Sequence, residues 1–193
     1  MTARQPPADH ERGDRAAHED CAAVLAHAAL FDHLAPVGGA RVLVHGMARP
    51  IGFHAVQLAK AAGALTVAAV VSGRAEACAA QRAGADLVID TTAADAVALL
   101  RHHTGQERPI HRIVHGRFGH DPGIDLALLA PGGVIAAHAL AGPEVCTGWW
   151  PELLGAGITV KLVAYGALPA GVLERARADV RRLRAAGLWQ DAA

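Results

Sequence analysis

The fold is decided by a stretch that reads Arg41-Val42-Leu43-Val44-His45-Gly46-Met47-Ala48-Arg49-Pro50-Ile51-Gly52 and continues as Phe53-His54-Ala55-Val56-Gln57-Leu58-Ala59-Lys60. Its first part is a short apolar run, typical of a parallel strand that is covered on both faces. From Ile51 onward, apolar residues recur at helical spacing. The stretch therefore predicts a buried strand, a tight turn and a helix. The turn lies where a dinucleotide-binding fold places its phosphate loop.

Strand and helix signals go on alternating along the rest of the chain. Strands are expected at 41–45, 65–71, 86–90, 110–114, 134–138 and 158–165. Helices are expected at 17–34, 51–60, 75–83, 94–103, 123–129, 150–155 and 170–186. This alternation predicts an α/β, Rossmann-type doubly wound parallel sheet, with helices on both faces and the strand order 3-2-1-4-5-6. Residues 1–16 are polar, so we expect a disordered tail before one domain over 17–193.

Composition narrows the classes of function. Of the 193 residues, 52% are hydrophobic, which suffices for one domain with a substantial core. The 18 basic and 18 acidic residues give no net charge, which argues against nucleic-acid and membrane-surface partners. The distant cysteines Cys21, Cys78 and Cys146 predict neither a disulfide framework nor a structural zinc site. With no apolar leader or spanning run, we expect a cytoplasmic protein.

Three ordered blocks, 38–64, 82–90 and 129–133, carry a family resemblance. They resemble the nucleotide-binding domain of medium-chain dehydrogenases/reductases, and most of all the zinc-independent quinone oxidoreductase branch. The family also has a chaperonin-10-like substrate domain, for which this sequence shows no counterpart. The resemblance therefore implies the dinucleotide domain alone. It also implies a homodimer that pairs through the edge strand Ile158–Tyr165.

The phosphate loop departs from the pattern of the resembled family. That pattern has glycine at positions 46, 49, 50 and 52, whereas this chain has Arg49 and Pro50 in the middle. Proline removes an N–H group, and arginine fills space that a phosphate would take. Either Arg49 clamps a phosphate with its guanidinium, or the loop is closed and dinucleotide binding is weakened or lost. The candidate cofactor-binding residues here are Gly46, Ala48, Arg49, Ile51 and Gly52.

The end of the second strand adds Ser72, Gly73 and Arg74 to the candidate cofactor-binding residues. Domains that prefer NAD usually hold the ribose hydroxyls with an acidic residue at this point, and no such residue is present here. A serine and an arginine suit the 2′-phosphate of NADP, so NADP(H) is predicted over NAD(H) if a dinucleotide binds. The alternative is a solvated helix N-terminus with an ordinary surface arginine.

Histidines fall at the carboxyl ends of three predicted strands, namely His45, His115 and His138. In open α/β sheets this edge binds ligands, and imidazoles can serve there as general acid and base. We select His115 and His138 as candidate catalytic residues, since His45 is common and structural in the resembled family. No carboxylate or cysteine pattern accompanies them, so no metal site is predicted. The alternative is three separate, hydrogen-bonded histidines.

Three functions fit these features. The first is NADPH-dependent reduction of a small enone or quinone, with a proton from His115 or His138. The second is a non-redox isomerase, cyclase or dehydratase whose histidines act in the former cofactor cleft, under a roof formed by Trp149 and Trp150. The third is a catalytically silent module that dimerises or binds a partner. The sequence does not name a substrate.

Overall fold

The computed structural model of the protein describes residues 9–92, 95–107, 109–116, 118, 123–138 and 150–192. Six strands form one sheet in the order β3-β2-β1-β4-β5-β6, and every neighbouring pair is parallel. The strands are β1 Arg41–His45, β2 Thr66–Val71, β3 Leu87–Asp90, β4 Ile110–His115, β5 Leu129–Ala137 and β6 Thr159–Leu162. The predicted doubly wound topology is confirmed.

Helices cover both faces of the sheet, as predicted. They are α1 Asp9–His27, α2 Pro50–Ala61, α3 Arg74–Ala83, α4 Ala96–Thr104, α5 Gly123–Leu128, α6 Trp150–Gly155 and α7 Ala170–Ala185, with a π-helical turn at Ala28–His33 and a 3₁₀ turn at Tyr165–Ala167. Alternate residues of β1 point to opposite faces: Val42 and Val44 pack with α1, α2 and α7, while Leu43 packs with α4, α5 and α6. The described helices include none long and apolar enough to cross a membrane.

Several element boundaries differ from the sequence prediction. Helix α1 begins at Asp9, so residues 9–16 belong to a helix, and only 1–8 of the predicted tail lie outside the described residues. Strand β5 begins at Leu129, because a shift in its pairing with β4 takes the Pro131-Gly132-Gly133 segment into the strand. Strand β6 is only four residues long, and pairing of two copies through this edge stays a prediction. Trp149 lies outside the described residues.

The turn between β1 and α2 is less altered than its sequence indicates. Gly46 has a φ of 91°, which favours glycine, and a Cβ on Gly52 would lie 2.6 Å from the carbonyl oxygen of Gly46. Arg49 has extended backbone angles that any residue can adopt, and Pro50 is the first residue of α2. The first N–H of a helix has no acceptor within the helix, so proline is favourable there. The chain thus keeps glycine at the two turn positions that require it.

Replacing Gly52 by alanine tests this packing. We expect Gly52→Ala to lower the free energy of unfolding by about 1–3 kcal/mol, because backbone must move to admit the methyl group. The matched control is Gly171→Ala in α7, where the added Cβ meets only the end of the Arg175 side chain at 3.7 Å. That change should stabilise the protein by about 0.5–1 kcal/mol. Urea denaturation of both variants measures the difference, and equal effects would contradict the account.

Candidate functional site

A pocket of about 360 Å³ lies at the carboxyl edge of the sheet, where β1, β2 and β4 end. Five of the residues that the sequence selects line it, namely Gly46, Ala48, Arg49, Ser72 and His115. The pocket therefore joins the turn after β1 to the end of β2, as the sequence predicts for a ligand-binding edge. We call it the β2 pocket.

A second pocket, of about 480 Å³, adjoins the first at the N-terminus of α2. Arg49, Ile51 and His138 line it, together with Cys21 and other residues of α1. We call it the α1 pocket. Arg49 is exposed and borders both pockets. His115 and His138, which the sequence groups as catalytic, consequently line different pockets.

The remaining predicted cofactor residues line neither pocket. Gly52 is buried under the turn against Gly46. Gly73 caps the N-terminus of α3 with a φ of 140°, so its role is to turn the chain from β2 into that helix. Arg74 is exposed on the first turn of α3.

An acidic side chain does reach the end of β2, although the sequence analysis expects none. Glu76 lines the β2 pocket, and its carboxylate accepts hydrogen bonds from the Ser72 amide at 3.0 Å and from the Ser72 hydroxyl at 3.1 Å. Glu76 was missed because it follows the strand by five residues and reaches back from the first turn of α3. The signal for it was available, since an acidic residue in the first helical turn commonly bonds back to the entering chain.

Three side chains from separate elements, two of which line the β2 pocket, meet at its side. The Nε2 atom of His45 lies 2.8 Å from Oδ1 of Asp125, and Nε2 of His115 lies 3.2 Å from Oδ2. The two imidazole rings stack, with centroids 4.2 Å apart and planes inclined by 11°. We call these residues the His–Asp–His cluster. Asp125 is not predicted from sequence, because α5 brings it to the strand ends and no local pattern links it to either histidine.

The carboxyl group of Asp125 is charged despite being only 1% exposed. Burial raises the pKa of this carboxyl, but the charge of His45 and the close approach of both histidines together outweigh burial. The pKa of Asp125 is therefore held well below its usual range. A buried carboxylate of this kind depends on the two imidazoles that face it.

His138 is in a different electrostatic environment. Its ring packs against Gly116, where an added Cβ would come within 3.3 Å of it, and its Nε2 atom is buried without a hydrogen-bond partner in the described part of the chain. Burial, followed by the nearby charges of His115 and Arg49, lowers the pKa of His138 to about 4. The His138 side chain is thus a neutral imidazole near pH 7.

The sequence model of a family described as zinc-binding dehydrogenase matches residues 50–176. The chain belongs to the medium-chain dehydrogenase/reductase family. No match was found among curated proteins.

Several solved structures share the fold of this chain. AibC is 25% identical over 91% of this chain and 50% of its own, with a TM-score of 0.74. CurA from Vibrio vulnificus, in complex with NADPH, is 21% identical over 86% of this chain and 52% of its own, with a TM-score of 0.74. A quinone oxidoreductase from Pseudomonas syringae pv. Tomato DC3000 is 22% identical over 88% and 52%, with a TM-score of 0.75. The chain spans about half the length of these relatives.

The buried carboxylate predicts a pH-dependent loss of stability in the Asp125→Asn variant. Near pH 7 we expect the free energy of unfolding to fall by about 2–4 kcal/mol, because two imidazoles lose their anionic partner. Since the folded pKa lies below the unfolded value of about 3.9, this contribution is complete above that value and declines as the pH falls further. Urea denaturation from pH 7 to pH 3 should show the difference from wild type narrowing.

A matched control for that experiment is Asp32→Asn, which removes a partly exposed ion pair with Arg175. Asp32→Asn should lower the free energy of unfolding by no more than about 1 kcal/mol. If Asp125→Asn lowers the free energy of unfolding by no more than Asp32→Asn does, the Asp125 carboxylate is not charged as described. A decrease that becomes larger as the pH falls would contradict this charge as well.

The neutral state of His138 predicts a second pH dependence of the free energy of unfolding, in a higher pH range than that of Asp125. The folded protein resists protonation of His138 until about pH 4, whereas the unfolded chain takes up that proton near pH 6.5. The free energy of unfolding should therefore decrease as the pH is lowered from about 6.5 to about 4, by about 3 kcal/mol in total. Proton NMR of the imidazole should give a midpoint near pH 4, and His138→Asn should flatten the stability profile. A midpoint near pH 6.5 would show that the ring is not buried as described.

Proposed function

We propose that the chain binds a nicotinamide dinucleotide across the N-terminus of α2 and acts as the cofactor half of a reductase for a small enone or quinone. The observation that supports this most is the position of Arg49, which borders both the β2 pocket and the α1 pocket. A dinucleotide has two halves joined by a pyrophosphate, so two adjoining pockets with a cation between them match its shape and charge.

The turn supplies what the pyrophosphate needs. The N-terminus of α2 carries the positive end of the helix dipole, which favours an anion. Pro50 provides no N–H group, and the exposed guanidinium of Arg49 offers several donors in its place. The outward position of Arg49 supports the phosphate-clamp alternative over the closed loop.

The two pockets take different halves of the cofactor in this proposal. The β2 pocket receives the adenosine half, beside Ser72 and Glu76, and the α1 pocket receives the nicotinamide half beside His138. When bound, the nicotinamide supplies a hydride for the electron-poor carbon of the substrate. His138 is neutral near pH 7, so it would orient the substrate by a hydrogen bond, and water reaching the pocket would supply the proton that accompanies the hydride.

The geometry gives less support to the other two functions. A non-redox enzyme that uses His115 and His138 together would need both imidazoles in one cavity, whereas they line separate pockets. A catalytically silent module needs no cavity at the carboxyl edge of the sheet, whereas two cavities of about 360 and 480 Å³ lie at this edge. The family membership also favours an oxidoreductase.

The cofactor preference follows from Glu76, and it differs from the NADP(H) predicted from sequence. Ser72 lines the pocket but is already hydrogen-bonded to the Glu76 carboxylate. Arg74, the other basis for that prediction, does not line the pocket. A carboxylate accepts hydrogen bonds from ribose hydroxyls and repels a 2′-phosphate. We therefore propose NAD(H) as the preferred cofactor.

Calorimetric titration with NADH and NADPH tests both parts of this proposal. NADH should bind at least about tenfold more tightly than NADPH, since one unfavourable charge contact costs roughly 1.4 kcal/mol or more. Glu76→Gln keeps a hydrogen-bond acceptor for Ser72 without the charge. This variant should reduce the difference in affinity between NADH and NADPH. Arg74→Ala is the control and should change neither affinity by more than about twofold.

Three outcomes separate the claims. If neither NADH nor NADPH binds at millimolar concentration, the proposed function is wrong. Tighter binding of NADPH would overturn only the cofactor preference. Arg49→Ala should weaken both cofactors to the same extent, because both contain the pyrophosphate, and an unchanged affinity would remove Arg49 from the site.

A further inference from the structure

The His–Asp–His cluster has a geometry that its hydrogen bonds do not fully explain. One ring nitrogen each of His45 and His115 and a carboxylate oxygen of Asp125 all lie within 4.8 Å of one another. The two nitrogen–oxygen contacts are 2.8 and 3.2 Å long. Ligands that share one metal ion at about 2.1 Å are roughly 3.0–3.4 Å apart in octahedral or tetrahedral geometry. The two nitrogen–oxygen separations are therefore close to those between ligands of one metal ion.

We propose that His45, His115 and Asp125 form a binding site for a divalent first-row transition-metal ion such as Zn²⁺. Two imidazoles and one carboxylate are a donor set that such ions accept, and three protein ligands leave at least one coordination position open. The sequence predicts no metal site, because no carboxylate pattern accompanies the histidines. The fold supplies that carboxylate from α5.

The state of the carboxylate is the second observation in favour of a cation. Asp125 is 1% exposed, and its Oδ2 atom has no well-aligned hydrogen bond in the described part of the chain. The 3.2 Å contact of Oδ2 with Nε2 of His115 is an ion pair that is longer than the 2.8 Å contact of Oδ1 with His45. No lysine or arginine among the described residues pairs with Asp125. A metal ion would complete the coordination of this buried anion.

The site also has an entry route. His45 and His115 line the β2 pocket, so an ion can reach them from that cavity. An open coordination position on the pocket side would take water or an oxygen atom of a bound molecule. The ion therefore places a Lewis acid beside the pocket without needing the dinucleotide, and it can be studied alone.

Binding requires a small and measurable rearrangement. The two imidazole planes are inclined by only 11° with centroids 4.2 Å apart, so the nitrogen lone pairs lie in nearly parallel planes and do not converge on one centre. Each ring must turn about its bond to Cβ to direct a lone pair at the ion. The ion then replaces the protons that now lie between nitrogen and oxygen, so metal uptake should release protons.

The experiment uses the full chain after treatment with a chelator. Titration with Co²⁺ followed by visible absorption, and with Zn²⁺ by calorimetry, should show one ion per chain. Calorimetry in two buffers with different heats of ionisation should show proton release. Asp125→Asn and His45→Gln should weaken binding at least about a hundredfold, because each removes a direct ligand. Circular dichroism checks that both variants are folded.

Two controls address other metal-binding groups in the chain. His103→Gln changes an exposed histidine of α4, and Cys21→Ser removes the thiol that lines the α1 pocket. Both variants should bind the metal as wild type does. A loss of binding in Cys21→Ser would place the ion in the α1 pocket and overturn the proposal.

Wild-type protein provides a test that does not depend on the variants folding. X-ray absorption of the Co²⁺-loaded protein should show two imidazoles and no sulfur ligand. A sulfur ligand, or no binding at about 100 µM free metal, would overturn the proposal, since biological Zn²⁺ sites of this donor type bind far more tightly. Equal affinities for wild type, Asp125→Asn and His45→Gln would overturn it as well.

Discussion

The contact between Gly52 and the carbonyl oxygen of Gly46 determines how α2 meets β1, and the whole carboxyl edge depends on it. A Cβ at position 52 would lie 2.6 Å from that oxygen. This close approach lets Pro50 begin the helix and leaves the Arg49 side chain exposed between two pockets. The loop differs in sequence from the resembled family, yet it keeps the backbone features that bring a helix N-terminus to a phosphate.

A second set of close contacts arranges the rest of the edge. Gly46 and Gly116 approach so nearly that a Cβ on either would lie 3.3 Å from the Cα of the other, and His138 packs on Gly116. The ends of β1, β4 and β5 are thereby drawn together. Helix α5 places Asp125 under the first two of these ends, where it fixes His45 and His115. Backbone contacts without side chains thus make room for a cluster of charged and polar groups.

Local patterns in the sequence predict the fold well, because buried strands and amphipathic helices leave periodic signals. They also place Gly46, Arg49, Ser72 and the strand-end histidines at one edge of the sheet. They fail for Asp125 and Glu76, which reach the site from helices. The position of such a side chain depends on how its helix packs, and sequence spacing does not record that. Strand β5 was also misjudged, because its shifted pairing with β4 takes in a Pro-Gly-Gly segment that locally indicates a turn.

The central claim is that the turn containing Arg49 and Pro50 still holds a dinucleotide between two pockets. Amide NMR spectra recorded during titration with NADH test it most directly. The account predicts shifts at 46–52 and at Ser72, together with changes at His138 in the α1 pocket. Shifts confined to one pocket, or their absence at 46–52 under saturating NADH, would contradict it.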